Sequence, residues 1–294
     1  MGTEQPAGPW TVLKLLDWTR SYLERAGVDA PRLAGETLLA HVLACQRIDL
    51  YARFDSTPTP QQLAAYREFV RRVSEHEPVA YLVGEKEFYS LTFHVTPAVL
   101  IPRPETEILV SEAVNHLQGL GRPGVMWDVC TGSGCVGIAT AMQVDDLTGL
   151  ATDVSEGAVA VAQENAERHG VTDRLRFRVA DLLNKPADCR DLSAFDVITT
   201  NPPYVTNGEP IAESVKREPT EALRAGPNGL DVIRPLIAAA PDHLNIGGVL
   251  ILEFGILQGE AVCDLLDAVE QFDDPRVIRD HQDLDRAVVA TRLS

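Results

Sequence analysis

The chain has 294 residues, 45% of them hydrophobic, and 43 acidic against 26 basic side chains give a formal net charge of -17. That length and apolar content suffice for one large or two ordinary globular domains, while the negative charge opposes attraction to a polyanion, because binding DNA or RNA rests on phosphate neutralisation by Lys and Arg. No stretch approaches the roughly 18–20 consecutive apolar residues that span a bilayer, residues 1–9 lack the apolar segment of a signal peptide, and the 5 cysteines form no C-x-x-C pair, so the expectation is a cytoplasmic monomer with reduced thiols, no metal site, no membrane contact and no direct nucleic-acid substrate.

From residue 10 to 76 the apolar positions follow a helical period. Val12, Leu15, Leu16, Trp18, Tyr22 and Leu23 mark a first helix that Gly27 can end, and Leu38, Leu39, Val42 and Leu43 mark a second over about 31–45. Thr59 is the expected N-cap of a third, with Pro60 at its first position and Leu63, Tyr66, Phe69, Val70 and Val73 turned inward. These stripes read as the core of a small helical domain, 1–76, rather than as cofactor contacts. Arg67, Arg71 and Arg72 with Arg103 are the nearest approach to a basic patch, and they read as a solvated helix face plus one loop residue.

Between 77 and 103 Phe88, Leu91, Phe93 and Val95 take strand spacing and Pro97 and Pro102 interrupt any helix, which predicts a β-hairpin linker. Pro104-Glu105-Thr106-Glu107 then opens a helix with its carboxylates at the positive end of the macrodipole. From residue 125 onward predicted strands (125–130, 149–153, 175–180, 195–200 and 249–254) alternate with helices, the signature of a doubly wound parallel sheet in a domain over 104–294. Two last apolar runs, 276–279 and 287–292, are spaced to close it as an antiparallel pair.

The first strand of that sheet runs into Asp128-Val129-Cys130-Thr131-Gly132-Ser133-Gly134-Cys135-Val136-Gly137, a glycine-rich turn where missing Cβ atoms let the backbone approach a nucleotide-like ligand. Gly132, Gly134 and Gly137 fit G-x-G-x-x-G, and Asp153, about 20 residues on at the end of the second strand, is placed to accept both ribose hydroxyls. A nicotinamide enzyme and an S-adenosylmethionine enzyme both want that carboxylate, so the pattern leaves the two open beside a purely structural glycine turn. Asp181-Leu182, after the third strand, offers an adenine ring a carboxylate and an apolar face, or else is a helix N-cap followed by a core leucine.

Asn201-Pro202-Pro203-Tyr204 follows the fourth strand. It puts an amide and an aromatic ring at the sheet edge where α/β proteins bind ligands, on a backbone fixed by two prolines. A plain Pro-rich turn is the alternative. Hydride transfer has no use for this motif, whereas methyl transfer to a planar nitrogen does. The Asn201 side-chain oxygen and the Pro202 carbonyl can each accept one N–H of an NH₂ group while Tyr204 stacks on its plane. The delocalised lone pair is then aimed at a sulfonium methyl group, and positive charge developing on nitrogen is stabilised.

These residues resemble the HemK/PrmC methyltransferases, which use S-adenosylmethionine to methylate the side-chain amide of a glutamine in bacterial peptide chain release factors. The likeness runs from Pro31-Arg32-Leu33 and 38–43 through Leu100-Ile101-Pro102-Arg103-Pro104-Glu105-Thr106-Glu107, the glycine loop, Asp153 and Asn-Pro-Pro-Tyr to Glu218-Pro219, Gly229-Leu230-Asp231, Glu253, Gly255 and Gln258. It implies a seven-stranded, Rossmann-like S-adenosylmethionine methyltransferase domain behind an N-terminal α-helical domain that docks the release factor. It also implies roles: Cys130, Thr131, Gly132, Ser133 and Gly134 at the methionine end of the cofactor, Asp153 at the ribose, Asp181 and Leu182 at the adenine, and Asn201 beside it. Asn201, Pro202 and Tyr204 would carry catalysis, with Pro203 joining them around the substrate.

Asn-Pro-Pro-Tyr is shared with enzymes that methylate the exocyclic amine of adenine in nucleic acids, a rival that the acidic composition opposes. The stretch 102–107 resembles the release-factor branch rather than the sister enzymes acting on a ribosomal protein. A module that binds without turnover and a nicotinamide dehydrogenase are the remaining rivals. Cys130 departs from the family's usual glycine and can serve there if its φ is negative; Ala80, Val205 and Phe254 also depart, and 184–193 reads as irregular.

Overall fold

The computed structural model describes residues 9–293, so the signal-peptide reading of residues 1–9 falls, but for Pro9, outside the described residues. Two compact units emerge: Met1–Gly84 with Ala212–Arg217, and Glu85–Ile211 with Glu218–Ser294.

The first unit is helical, with α1 (Val12–Arg25), α2 (Pro31–Val42), α3 (Arg47–Ala52), α4 (Pro60–Ser74) and α5 (Val79–Val83). Thr59 and Gln62 form a reciprocal capping box at the start of α4, the hydroxyl accepting from the Gln62 N–H while the Gln62 side chain accepts from Thr59 N–H. Leu15, Leu23, Leu38, Leu39, Tyr66 and Val70 are fully buried at the centre, and the Tyr66 hydroxyl is satisfied by donating to Thr19 Oγ1 at 2.9 Å. Two short helices escape the sequence pattern. At six residues α3 is too short to show a period, and α5 opens the stretch read as hairpin linker. Two of the arginines on α4 are neutralised locally, Arg71 by Glu68 and Glu75 and Arg72 by Glu77, while Arg67 lies over the Trp10 ring.

The second unit starts with the expected hairpin, β1 (Glu85–Phe88) and β2 (Leu91–His94), turned by Tyr89 and Ser90, both at positive φ. A 3₁₀ turn at Pro104–Thr106 leads into α6 (Glu107–Gly119), followed by β3 (Val125–Val129), α7 (Cys135–Gln143), β4 (Thr148–Asp153), α8 (Glu156–His169), β5 (Leu175–Val179), β6 (Phe195–Thr200), α9 (Ile233–Ala239), β7 (Leu244–Glu253), α10 (Gly259–Asp267), β8 (Arg276–Arg279) and β9 (Asp285–Thr291). The seven-stranded sheet has the order β5-β4-β3-β6-β7-β9-β8, parallel from β5 to β7 and closed by the antiparallel β9 and β8. It is the doubly wound sheet that the strand–helix alternation predicts.

Alternation along the strands divides the core. Met126, Val197 and Ile251 pack with α6, α7 and α8, whereas Trp127, Ile198 and Leu250 pack with α9 and α10. Strand β7 begins five residues before its predicted start, because Gly247 and Gly248 look like a turn in sequence yet lie beside a register shift opposite β6.

Chain direction makes the site. The crossovers β3 to β4 to β5 run outward one way, and β6 returns to the opposite side of β3, so the strand order reverses between β3 and β6. Val129 pairs with Thr200 at the end of that ladder, which sets Cys130 and Asn201 side by side just beyond it. Open α/β sheets bind ligands in the crevice at such a reversal.

Candidate active site

A cleft with about 1070 Å³ of empty space, its open mouth included, lies over this reversal. Its walls bring together Cys130, Thr131, Gly132 and Ser133 from the turn after β3, Asp153 at the end of β4, Asp181 and Leu182 after β5, and Asn201 and Pro203 after β6. Gly134, Pro202 and Tyr204 stand off the wall. Gly134 is the left-handed cap of α7, where a Cβ would come within 2.8 Å of Ile138 Cδ1 and 3.1 Å of Ala162 Cβ, so its service is to let α7 pack.

The glycine turn is held from below by Asp128, which is 2% exposed. Its carboxyl accepts from Thr131 Oγ1 at 2.5 Å, Gly137 N–H at 3.1 Å and Thr199 Oγ1 at 2.8 Å. Burial outweighs these three bonds and raises its pKa to about 6. From the side, Asn165 on α8 donates to the Ser133 carbonyl and ties the same loop to β2 through both backbone groups of His94. Asp153 accepts from Gly132 N–H at 2.9 Å and from Ser155 N–H at 3.0 Å, which fixes the carboxylate with lone pairs to spare. Burial first, and Glu221 among its neighbours, holds its pKa above the usual range.

One condition and one open alternative are decided here. Cys130 sits at φ +57°, in the left-handed region, so the condition of a negative φ is not met; the chain must turn there out of β3, and the side chain is strained where glycine is free. Its thiol is pushed up by burial and by Asp153, so it stays protonated. Asp181 caps no helix: it is exposed, Leu182 behind it takes φ +48°, and 181–193 is a loop broken only by a 3₁₀ turn at Ala187–Cys189.

Asn201 is oriented by Thr106, whose Oγ1 accepts from Asn201 Nδ2 at 3.0 Å. The donor end of the amide is thereby engaged, which leaves Oδ1 as the end available to a ligand. Tyr204 sits in a socket built by residues far along the chain. Its hydroxyl donates to Glu253 Oε1 at 3.2 Å, its carbonyl accepts from Gln258 Nε2 at 3.0 Å, and Gly229 and Gly255 give it room: a Cβ on Gly229 would lie 2.1 Å from the Tyr204 carbonyl oxygen, and one on Gly255 3.3 Å from the ring. Arg103, on the cleft wall, is bound by the buried Glu218, whose other oxygen accepts from Ile101 N–H at 3.0 Å.

With this geometry in place, likeness to known proteins is informative. A "Release factor glutamine methyltransferase" of Geobacter sulfurreducens is 40% identical over 289 residues, 97% of this chain and 98% of that protein. The chain belongs to that family. One of the same description from Rhodopirellula baltica is 41% identical over 83% of this chain and 84% of its own. The PrmC N-terminal domain matches residues 14–84, and the methyltransferase small domain matches 105–226. A methyltransferase from Pyrococcus furiosus, 19% identical with a TM-score of 0.51 over 71% of this chain and 92% of its own, shares the fold. The protein is therefore a methyltransferase, and the dehydrogenase reading of the glycine turn falls.

The family frame also explains residues that the sequence quotes without a role. Glu218, Gly229, Glu253, Gly255 and Gln258 touch neither the glycine turn nor Asn201 directly; they brace Arg103 and Tyr204. One signal in the sequence pointed to Glu253: it is a carboxylate in an otherwise apolar strand run, where a charge persists only with dedicated partners.

Proposed function

We propose that this protein transfers the methyl group of S-adenosylmethionine to the side-chain amide nitrogen of a glutamine in bacterial peptide chain release factors. The observation that carries the reading is the Asn201–Thr106 bond at the mouth of the glycine turn, because it presents an amide oxygen, an acceptor, to whatever nitrogen enters. The cleft suits this cofactor in particular. Asp128, Asp153, Asp181 and Glu221 line it, and its one arginine, Arg103, is already paired with Glu218. A sulfonium cation gains from that field, whereas the pyrophosphate of a dinucleotide or a nucleic-acid backbone loses.

In this reading Cys130, Thr131, Gly132 and Ser133 hold the methionine moiety, with Gly134 shaping the turn behind them, Asp153 holds the ribose hydroxyls, and Asp181 with Leu182 the adenine. S-adenosylmethionine supplies an electrophilic methyl group and a neutral thioether as leaving group. Asn201 Oδ1 and the Pro202 carbonyl each accept one N–H of the glutamine amide, Pro203 keeps that corner rigid, and Tyr204 lies against the amide plane. These acceptors stabilise the cationic nitrogen as it forms, and its surplus proton leaves to water afterwards. The helical domain, 1–76 followed by its hairpin linker, docks the release factor in the cytoplasm.

Mass spectrometry of a release factor incubated with enzyme and S-adenosylmethionine tests this. One added methyl group on a single glutamine is expected. No modification of the release factor, with label appearing on adenine of DNA or RNA instead, would overturn it in favour of the nucleic-acid reading.

A further inference from the structure

Glu253 ends β7 at 1% exposure, off the cleft wall. Oε1 accepts from the Tyr204 hydroxyl, Oε2 has no hydrogen-bond partner among the described residues, and the Thr106 hydroxyl bears on the carboxyl so as to favour its charge. Thr106 is also the acceptor from Asn201 Nδ2. The two polar side chains of the Asn-Pro-Pro-Tyr motif are thus both tied to the surroundings of one acid: Tyr204 hydrogen-bonds it, and Asn201 donates to Thr106, whose hydroxyl acts on its charge. Burying a carboxyl without full pairing is costly; a leucine would fill the end of an apolar strand at no such cost.

Resting on the function proposed above, the geometry points to Glu253 as a positioning residue for the acceptor clamp that works in its ionised form. A carboxylate here orders the Tyr204 hydroxyl as a donor toward itself and polarises the neighbouring Thr106 hydroxyl, on which its charge bears. Thr106 oxygen is then a stronger acceptor for Asn201 Nδ2, and an amide polarised at its nitrogen carries more negative charge on Oδ1. Methyl transfer moves positive charge onto the substrate nitrogen facing Oδ1, so a negative charge behind the clamp favours the transition state over the ground state.

Protonation removes that charge, and the surroundings place it in a working range. Burial raises the Glu253 pKa to about 7; Glu105 on the 3₁₀ turn adds to the rise, while Thr106, Tyr204 and Arg286 on β9 oppose it. Arg286 is shared with Asp280, Cys135 on α7 also feels the carboxylate, and Arg103 faces Tyr204. The clamp is therefore weakened by acid.

The test is the pH profile of methyl transfer to a release factor by the parent and by Glu253→Gln. In the parent kcat is expected to rise with an inflection near 7. In the variant the inflection disappears and kcat at pH 8 falls by about tenfold, as for loss of one charge-assisted hydrogen bond, while the two converge near pH 6 and KM is held within about twofold. An unchanged inflection in the variant, with the parent active, overturns the role of Glu253 alone; a parent inactive on release factors at every pH overturns the proposed function and this inference together. Melting without ligand gives an independent reading. The acid is costly only when ionised, so Glu253→Gln should gain stability over the parent as pH rises from about 4.5 to about 7 and hold that gain above. A gap that does not change with pH overturns the proposal.

Discussion

Two residues in the cleft carry opposite lessons about a side chain's duty. Asn201 is defined by one hydrogen bond, from Nδ2 to Thr106, and its value is the oxygen left over. Asn201→Ala is expected to lower kcat by about 10² to 10³, the loss of one transition-state acceptor, with cofactor affinity nearly unchanged; equal rates for parent and variant on a release factor would remove its orienting role. Cys130 is defined by its backbone. At φ +57° a side chain costs roughly 1–2 kcal/mol against glycine, partly offset by the packing of Cys130 on the core below. Cys130→Gly should therefore change stability by no more than about 1 kcal/mol, and Cys130→Val, β-branched at the same φ, should lose about 2 kcal/mol or more. Thermal unfolding of the pair checks this, and a valine variant as stable as the glycine one would show that the backbone there is not left-handed. The motif at 201–204 could be read for chemistry from its residue types, but the strain at 130 could not, because residue type alone does not disclose a dihedral angle.

At the scale of elements, what the sequence disclosed depended on length and on partners near in the chain. The largely apolar run 195–200 is β6, buried at every position; a strand buried on both faces is mostly apolar, and its one charge, Asp196, persists through its pair with Arg122. Helix α4 announced itself through Thr59 and Pro60, adjacent at its start, and the structure adds Gln62 as the other half of the capping box. Helices α3 and α5 could not, being six and five residues long. The socket of Tyr204 was hidden for a different reason: Gly229, Glu253 and Gln258 lie 25 or more positions away and meet it only once β6 and β7 are neighbours. Gly229→Ala probes that assembly, since its φ is +69° and the added Cβ would strike the Tyr204 carbonyl at 2.1 Å and Gln258 Nε2 at 2.4 Å. Displacing the clamp by a fraction of an ångström should cost 10- to about 100-fold in kcat while calorimetric cofactor binding stays near the parent value. Gly208→Ala, where nothing lies within 4 Å, is the control. Parent-like turnover in the Gly229 variant would show that Tyr204 needs no such support.

Over the whole molecule the charge of -17 becomes specific only where the fold concentrates it. Asp128, Asp153, Asp181 and Glu221 come from four separate stretches, and the sheet reversal gathers them around one cleft in which the sole arginine is already paired. Burial and mutual repulsion raise Asp128 and Asp153, so the cleft is costly as built and a ligand bearing phosphates would raise that cost further. The glycine pattern, read by itself, permits a nicotinamide dinucleotide; the field around it does not. S-adenosylhomocysteine keeps the ribose, adenine and amino-acid groups without any phosphate, and at about 100 times its Kd it should stabilise the fold by about 2.7 kcal/mol. NAD at the same concentration should leave the melting temperature unchanged. Scanning calorimetry with each ligand decides the matter: a rise with NAD equal to that with S-adenosylhomocysteine would mean that the carboxylates do not select the cofactor, and the electrostatic part of the reading would have to be given up.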